Sequence, residues 1–186
     1  MRTVCDWCGK GVEVMLSQAP ETVKVKDEEI TLQIKSCKCS CCGAELWISE
    51  VENENLRNAY NEYRRRHKLL LPEQIKEIRE GYGMSQVSFA KLLGFGEKTI
   101  ARYENGSIQD EAHNNLMLLM ADKHNFRRLF ERNEQSFPSF EQFKVKKALN
   151  AKECVAMPYR IRVDTYGVSI ASAVDEEYDE SIGGIS

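Results

Sequence analysis

Four cysteines near the start of the chain repeat one pattern. Cys5-Asp6-Trp7-Cys8-Gly9 and Cys39-Ser40-Cys41-Cys42-Gly43 are both C-x-x-C-G units, and six of the seven cysteines fall within the first 42 residues. A C-x-x-C turn points two thiolates to one side and leaves backbone N–H groups facing the sulfurs, while the glycine relaxes the backbone at its end. Two such knuckles make a closed tetrahedral four-thiolate zinc site. With no open ligand position the metal would be structural, and its binding would largely be folding energy. Cys37 and Cys41 compete as ligands. Cys37 ends an alternating run and reads as a small apolar strand residue, Cys41 as a bystander in the loop, and the isolated Cys154 as a buried thiol. A redox C-x-x-C would need a βαβ setting, which the pattern does not show.

A second constellation lies between Met84 and Gly106. Ser85 suits an N-cap, and Val87, Phe89, Ala90, Leu92 and Leu93 give a short helix an apolar inner side. Gly94 and Gly96 then break it, since glycine reaches the φ > 0 conformations of a sharp corner. A second helix from about Glu97 to Glu104 puts Ile100 and Tyr103 on one side. Lys98 and Arg102, four apart, share another side, and Gly106 suits the C′ stop. Two short helices about a tight turn can place one helix in the major groove of DNA. Lys98, Thr99 and Arg102 are then the candidate contacts on the second helix. Gln86 would seat a phosphate at the N-terminus of the first. The plainer alternative is a helical hairpin that only packs a core.

The elements that must position these groups follow from periodicity. Val12, Val14 and Leu16 alternate, as do Ile30, Leu32 and Ile34, with Ser17–Pro20 and Lys26–Glu28 as punctuation. Glu45 to Ser49 could add a short strand, so residues 1–50 read as a small antiparallel zinc-binding domain. Residues 51–71 read as a helical connector with a Leu56, Tyr60, Tyr63 stripe. Its basic end, Arg64 to Lys68, either contacts phosphates or is a solvated helix terminus; His67 has no ligand spacing. Pro72 opens the next helix, and residues 72–135 read as an all-α domain. It closes with amphipathic helices over Asp110–Asp122 (Leu116, Leu119, Met120) and His124–Asn133 (Phe126, Leu129, Phe130). Ser136-Phe137-Pro138-Ser139 looks like a boundary. Beyond it residues 140–155 could be a helix, Tyr159, Ile161 and Val163 alternate like a strand, and residues 136–186 form an extension of unknown role. The fold class expected is α+β and multidomain.

The net charge of −3 hides an asymmetry. From Arg57 to Tyr103 ten Lys and Arg face five Glu. After Arg162 there are six acids and no further base, including the acidic run Asp175 to Glu180, which reads as disordered alone. The whole-chain value alone would have argued against nucleic acid. No apolar run approaches the roughly 20 residues of a membrane helix, and the N-terminus shows no secretory signal, so the expected location is cytoplasmic. No nucleophile–base pair, phosphate loop or open metal site is evident, so the chain is expected not to be an enzyme.

Met84 to Gly106 resembles the helix-turn-helix of the Xre, or lambda-repressor-like, family: Ser85-Gln86 opens a helix, Ala90 is small at the crossing, Leu93-Gly94 forms the turn. Thr99 to Gly106 closes the recognition helix as in that family. It departs at Gly96, where the family usually has a Ser or Thr cap. Together with the paired knuckles upstream, the order of parts over about residues 1–120 resembles the MqsA-type antitoxins and their relatives with a YgiT-type zinc finger. The resemblance implies a homodimer that binds operator DNA and represses its own operon, with a zinc domain that binds a cognate toxin. It implies zinc on Cys5, Cys8, Cys39 and Cys42, and base reading by Lys98 and Arg102. Lys98 stands where relatives carry a short polar residue, which implies a different target base. Two other readings stay open: a stand-alone phage or mobile-element regulator without a toxin, and an adaptor whose zinc domain and acidic tail bind a protein.

Overall fold

The computed structural model describes residues 1–151 and the backbone of residues 159–164 and 167–172. Cys154 and the acidic run Asp175 to Glu180 lie outside the described residues. The chain divides into two compact units, Met1–His67 and Lys68–Ser186.

The first unit is a three-stranded antiparallel sheet and one helix. Strand β1 (Arg2–Val4) pairs with β2 (Gly11–Val25), which pairs with β3 (Glu28–Cys39) from Val14↔Cys39 to Val25↔Glu28. Lys26 and Asp27 form the hairpin loop, with Lys26 at φ 53°, the left-handed conformation such tight loops use. The expected break at Ser17–Pro20 is absent, because β2 runs through it and Pro20 stands opposite Gln33. β1 is spent at Glu13, which leaves an outer edge that tolerates a residue with no N–H. Cross-strand hydroxyl pairs, Ser17–Ser36 at 2.7 Å and Thr22–Thr31 at 2.8 Å, hold the register there. The strand expected over Glu45–Ser49 shrinks to one bridge, Lys38↔Glu45.

Helix α1 (Ser49–Arg66) lies against β3, so the segment expected as a connector is part of this unit. Its buried face is Val51, Asn55 and Ala59, not the Leu56 stripe; Leu56 is half exposed. Asn55 earns its burial through two bonds to one residue. Its Oδ1 accepts from the Lys35 N–H at 3.0 Å and its Nδ2 donates to the Lys35 carbonyl at 2.8 Å. The basic end of the helix is engaged rather than free. Arg66 and His67 both bond Glu28 at the hairpin tip, and His67 stacks on Tyr63.

Among the described residues, the second unit has six α-helices about one core. α2 (Pro72–Gly81), α3 (Gln86–Leu92) and α4 (Thr99–Glu104) precede α5 (Glu111–Met120), α6 (Lys123–Asn133) and α7 (Ser139–Asn150). Ser85, Asp110 and Asp122 cap α3, α5 and α6 by accepting backbone N–H bonds, each worth about 1 kcal/mol. Ile75, Phe89, Ile100, Met117, Phe126 and Phe130 fill the centre. Tyr82 stacks on Phe126 and donates to the Met120 carbonyl at 2.9 Å. Val87 and Leu119, expected inside, are about half exposed. The boundary expected at Ser136–Ser139 is not one: Phe137 stacks on Phe130, and Val145 and Leu149 of α7 enter the same core. The strand expected at Tyr159–Val163 is present as β4 (Tyr159–Asp164). It pairs with β5 (Gly167–Ser172) in a two-stranded hairpin.

Candidate metal centre and nucleic-acid interface

The two knuckles meet at the base of the sheet. Gly9 and Gly43 take φ of 68° and 72°, and each N–H donates to the carbonyl four residues back, Cys5 and Cys39. The turns are thus equivalent in construction. They bring Cys5, Cys8, Cys39 and Cys42 together with all four sulfurs within 4.8 Å of one another. The Sγ atoms of Cys5 and Cys42 are 3.7 Å apart, and those of Cys8 and Cys39 are 3.9 Å apart.

That geometry fits a metal ion. Zinc–sulfur bonds of about 2.3 Å at tetrahedral angles put sulfurs about 3.8 Å apart. The N–H groups of Cys41 and Cys42 lie 3.4 and 3.5 Å from the Cys39 sulfur. The Cys42 N–H, with that of Cys41, lowers the Cys39 thiol to about 6. The Ala44 N–H opposes a rise at Cys42, yet burial and the neighbouring thiols push it up to about 12. Four thiols this close cannot all ionise without a cation between them. Cys37 takes no part: it is buried against Ile48 and Val51, where burial raises its thiol. Cys41 is exposed, with its sulfur 3.7 Å from Lys10 Nζ.

In the second unit α3 and α4 are two short helices joined by a tight turn. Gly94 at φ 72° ends α3: its N–H donates to Lys91 and that of Phe95 to Ala90. Gly106 at φ 101° ends α4 in the same way, with its own N–H on Tyr103 and that of Ser107 on Arg102. Both are Schellman stops that satisfy two carbonyls of the last turn. The second helix begins at Thr99, later than expected, with Lys98 as an N-cap that makes no side-chain cap bond. Ile100 and Tyr103 face the core, while Lys98 and Arg102 are exposed and Thr99 is half-buried. Among the described residues, neither Lys98 nor Arg102 forms a side-chain ion pair; Glu104 is occupied elsewhere.

Its partner is Arg79, which the sequence reading passed over. Arg79 Nε donates to Glu104 Oε1 at 2.6 Å and Nη2 to Oε2 at 2.9 Å, and Nη1 reaches the Met84 carbonyl. The Glu104 hydrogen bond raises the Arg79 guanidinium above its already high value. Gln86 Nε2 donates to the same Glu104 carboxylate at 2.7 Å, so its amide nitrogen is turned toward α4. The signal was a charge at each of positions 79 and 104, both set among apolar core positions.

Comparison with known families gives one match. The model described as the antitoxin component of bacterial toxin-antitoxin systems, MqsA, covers residues 1–132. Comparison with curated proteins gave no match. Residues 1–132 contain the four-cysteine cluster and both helices of the turn, and the chain belongs to the MqsA antitoxin family.

Proposed function

We propose that this chain is a zinc-containing, sequence-specific transcriptional repressor that binds its operator as a homodimer and neutralises a cognate toxin through its zinc domain. The observation that carries the DNA reading is the division of α4 into two faces. Ile100 and Tyr103 fix it to the core, while Lys98 and Arg102 stand outside with no acidic partner among the described residues. A free guanidinium on a recognition helix can donate two hydrogen bonds to guanine O6 and N7, worth about 1–3 kcal/mol of discrimination. One such helix per subunit suits a palindrome with half-sites in successive major grooves. The toxin role is supported by membership of the family. No described helix is long and apolar enough to cross a membrane.

The test is titration of the chain's own promoter DNA, at one fixed salt concentration, with wild type and Arg102→Ala. The variant is expected to bind about 10-fold or more weakly and to lose base preference at one symmetric position, with its melting temperature unchanged. Equal affinity and preference in the two proteins would refute base reading by Arg102.

A further inference from the structure

The chain has only two tryptophans, and both stand in solvent at one cleft of the first unit. Trp7, in the first knuckle, is 85% exposed and Trp47, just after the second, is 77% exposed. They line a cavity of about 340 Å³ with Val4, itself 63% exposed, and with Asp6 and Glu45. Among the described residues no other charged side chain lines it. Neither carboxylate forms a hydrogen bond or ion pair among the described residues. Large aromatic side chains left in water in pairs mark interaction sites, and tryptophan is the residue most enriched where binding energy concentrates.

We infer that this cleft docks a partner protein by taking a lysine or arginine side chain between Trp7 and Trp47, its charged head on Asp6 and Glu45. The chemistry selects the occupant. A long basic side chain has an aliphatic stem that packs on indole faces and a cation that the aromatic rings also attract. The two carboxylates supply the opposite charge and disfavour nucleic acid, whose bases could otherwise stack on the indoles. A loaded four-thiolate centre adds to this, since a divalent ion on four thiolates is net negative and Cys5 also lines the cleft. The inference rests on the reading of the zinc domain as the toxin-binding part, with the toxin as the basic partner.

The experiment uses the full-length, zinc-loaded chain and the purified product of the adjacent toxin gene, with affinity measured by calorimetry. Trp7→Ala and Trp47→Ala should each weaken binding about 10-fold or more while zinc content and promoter binding stay at wild-type levels. Asp6→Asn combined with Glu45→Gln should weaken it several-fold and flatten its salt dependence. Cys39→Ser, which dismantles the unit, should abolish it. If Cys39→Ser still binds the toxin, the zinc-domain reading itself falls. If Cys39→Ser loses the toxin but the tryptophan and carboxylate variants bind as wild type, the cleft is overturned and the zinc-domain reading stands. Saturable quenching of both tryptophans by oligouridine, unaffected by the toxin, would also overturn it.

Discussion

Arg79 on α2 and Glu104 at the last turn of α4 form a two-bond ion pair with side chains only 9% and 5% exposed. The end of α4 is thereby tied to α2. Removing one partner of a buried pair leaves the other charge poorly matched, here with Glu80 at 3.2 Å as the remaining acid, and costs up to about 3–5 kcal/mol. Glu104→Ala is expected to lower the melting temperature sharply. Arg79→Met with Glu104→Leu should recover much of the loss, because it leaves no buried charge, only the Gln86 amide and the Met84 carbonyl without their partner. A double variant no more stable than the single one would show that the pair does more than satisfy itself. Gln86→Ala should weaken binding to all DNA sequences alike, because it loosens the seat of Glu104, whereas Arg102→Ala should act at one base position.

Metal removal should separate the two units. A chelator strong enough to strip the four thiolates is expected to melt the sheet of the first unit and leave the helices of the second intact, read by far-ultraviolet circular dichroism. Cys39→Ser should lose the ion. Cys41→Ser should keep it, because that thiol is exposed, and Cys37→Ser should keep it at some cost in stability, because that side chain is packed against Ile48 and Val51. Loss of metal in Cys37→Ser with retention in Cys39→Ser would reverse the assignment.

Truncation should distinguish the extension from the core. Ending the chain at Gln135 removes Phe137, Val145 and Leu149, all nearly fully buried. Loss of a buried apolar side chain of this size costs about 2–5 kcal/mol, and three of them should leave the remaining helices marginal in thermal melts. Ending it at Ser172 should leave the melting temperature of the helical unit unchanged.

The hairpin tip should loosen in acid. Arg66, followed by His67, holds the Glu28 carboxyl below its ordinary value of 4.5. A carboxylate whose folded value is depressed contributes stability above the unfolded value and loses it as pH falls through the folded one. Protection of the amides around Lys26 and Asp27 against exchange should therefore fall only below about pH 4.5, and Glu28→Gln should show the faster exchange rate at neutral pH. Identical rates in the two proteins at neutral pH would refute a role for this contact.

Much of the site was legible because it depends on local spacing. The two C-x-x-C-G turns, the Ser85 cap and the Gly106 stop all follow from residues a few positions apart. The misreadings came where tertiary partners decide. Pro20 breaks a strand only if its missing N–H is needed, and here the neighbouring strand has already ended. Asn55 is buried because it pairs with the backbone of Lys35, which a search for apolar stripes passes over in favour of Leu56. Phe137 sits among turn formers, yet Phe130 waits for it across the core.

The meeting of the two knuckles also changes what the unfolded chain is free to do. An ion gripped by Cys5 and Cys39 closes a loop that contains the entire β2–β3 hairpin. By the chain-entropy argument used for disulfides, closing a loop of this length is worth about 4 kcal/mol. The cross-link differs from a disulfide in how it is undone: thiol reductants leave it whole, while chelation or oxidation of a ligand sulfur opens it. With an ion in place, the folding of the first unit would be tied to metal supply and thiol oxidation, while the described helices of the second unit contribute no ligand.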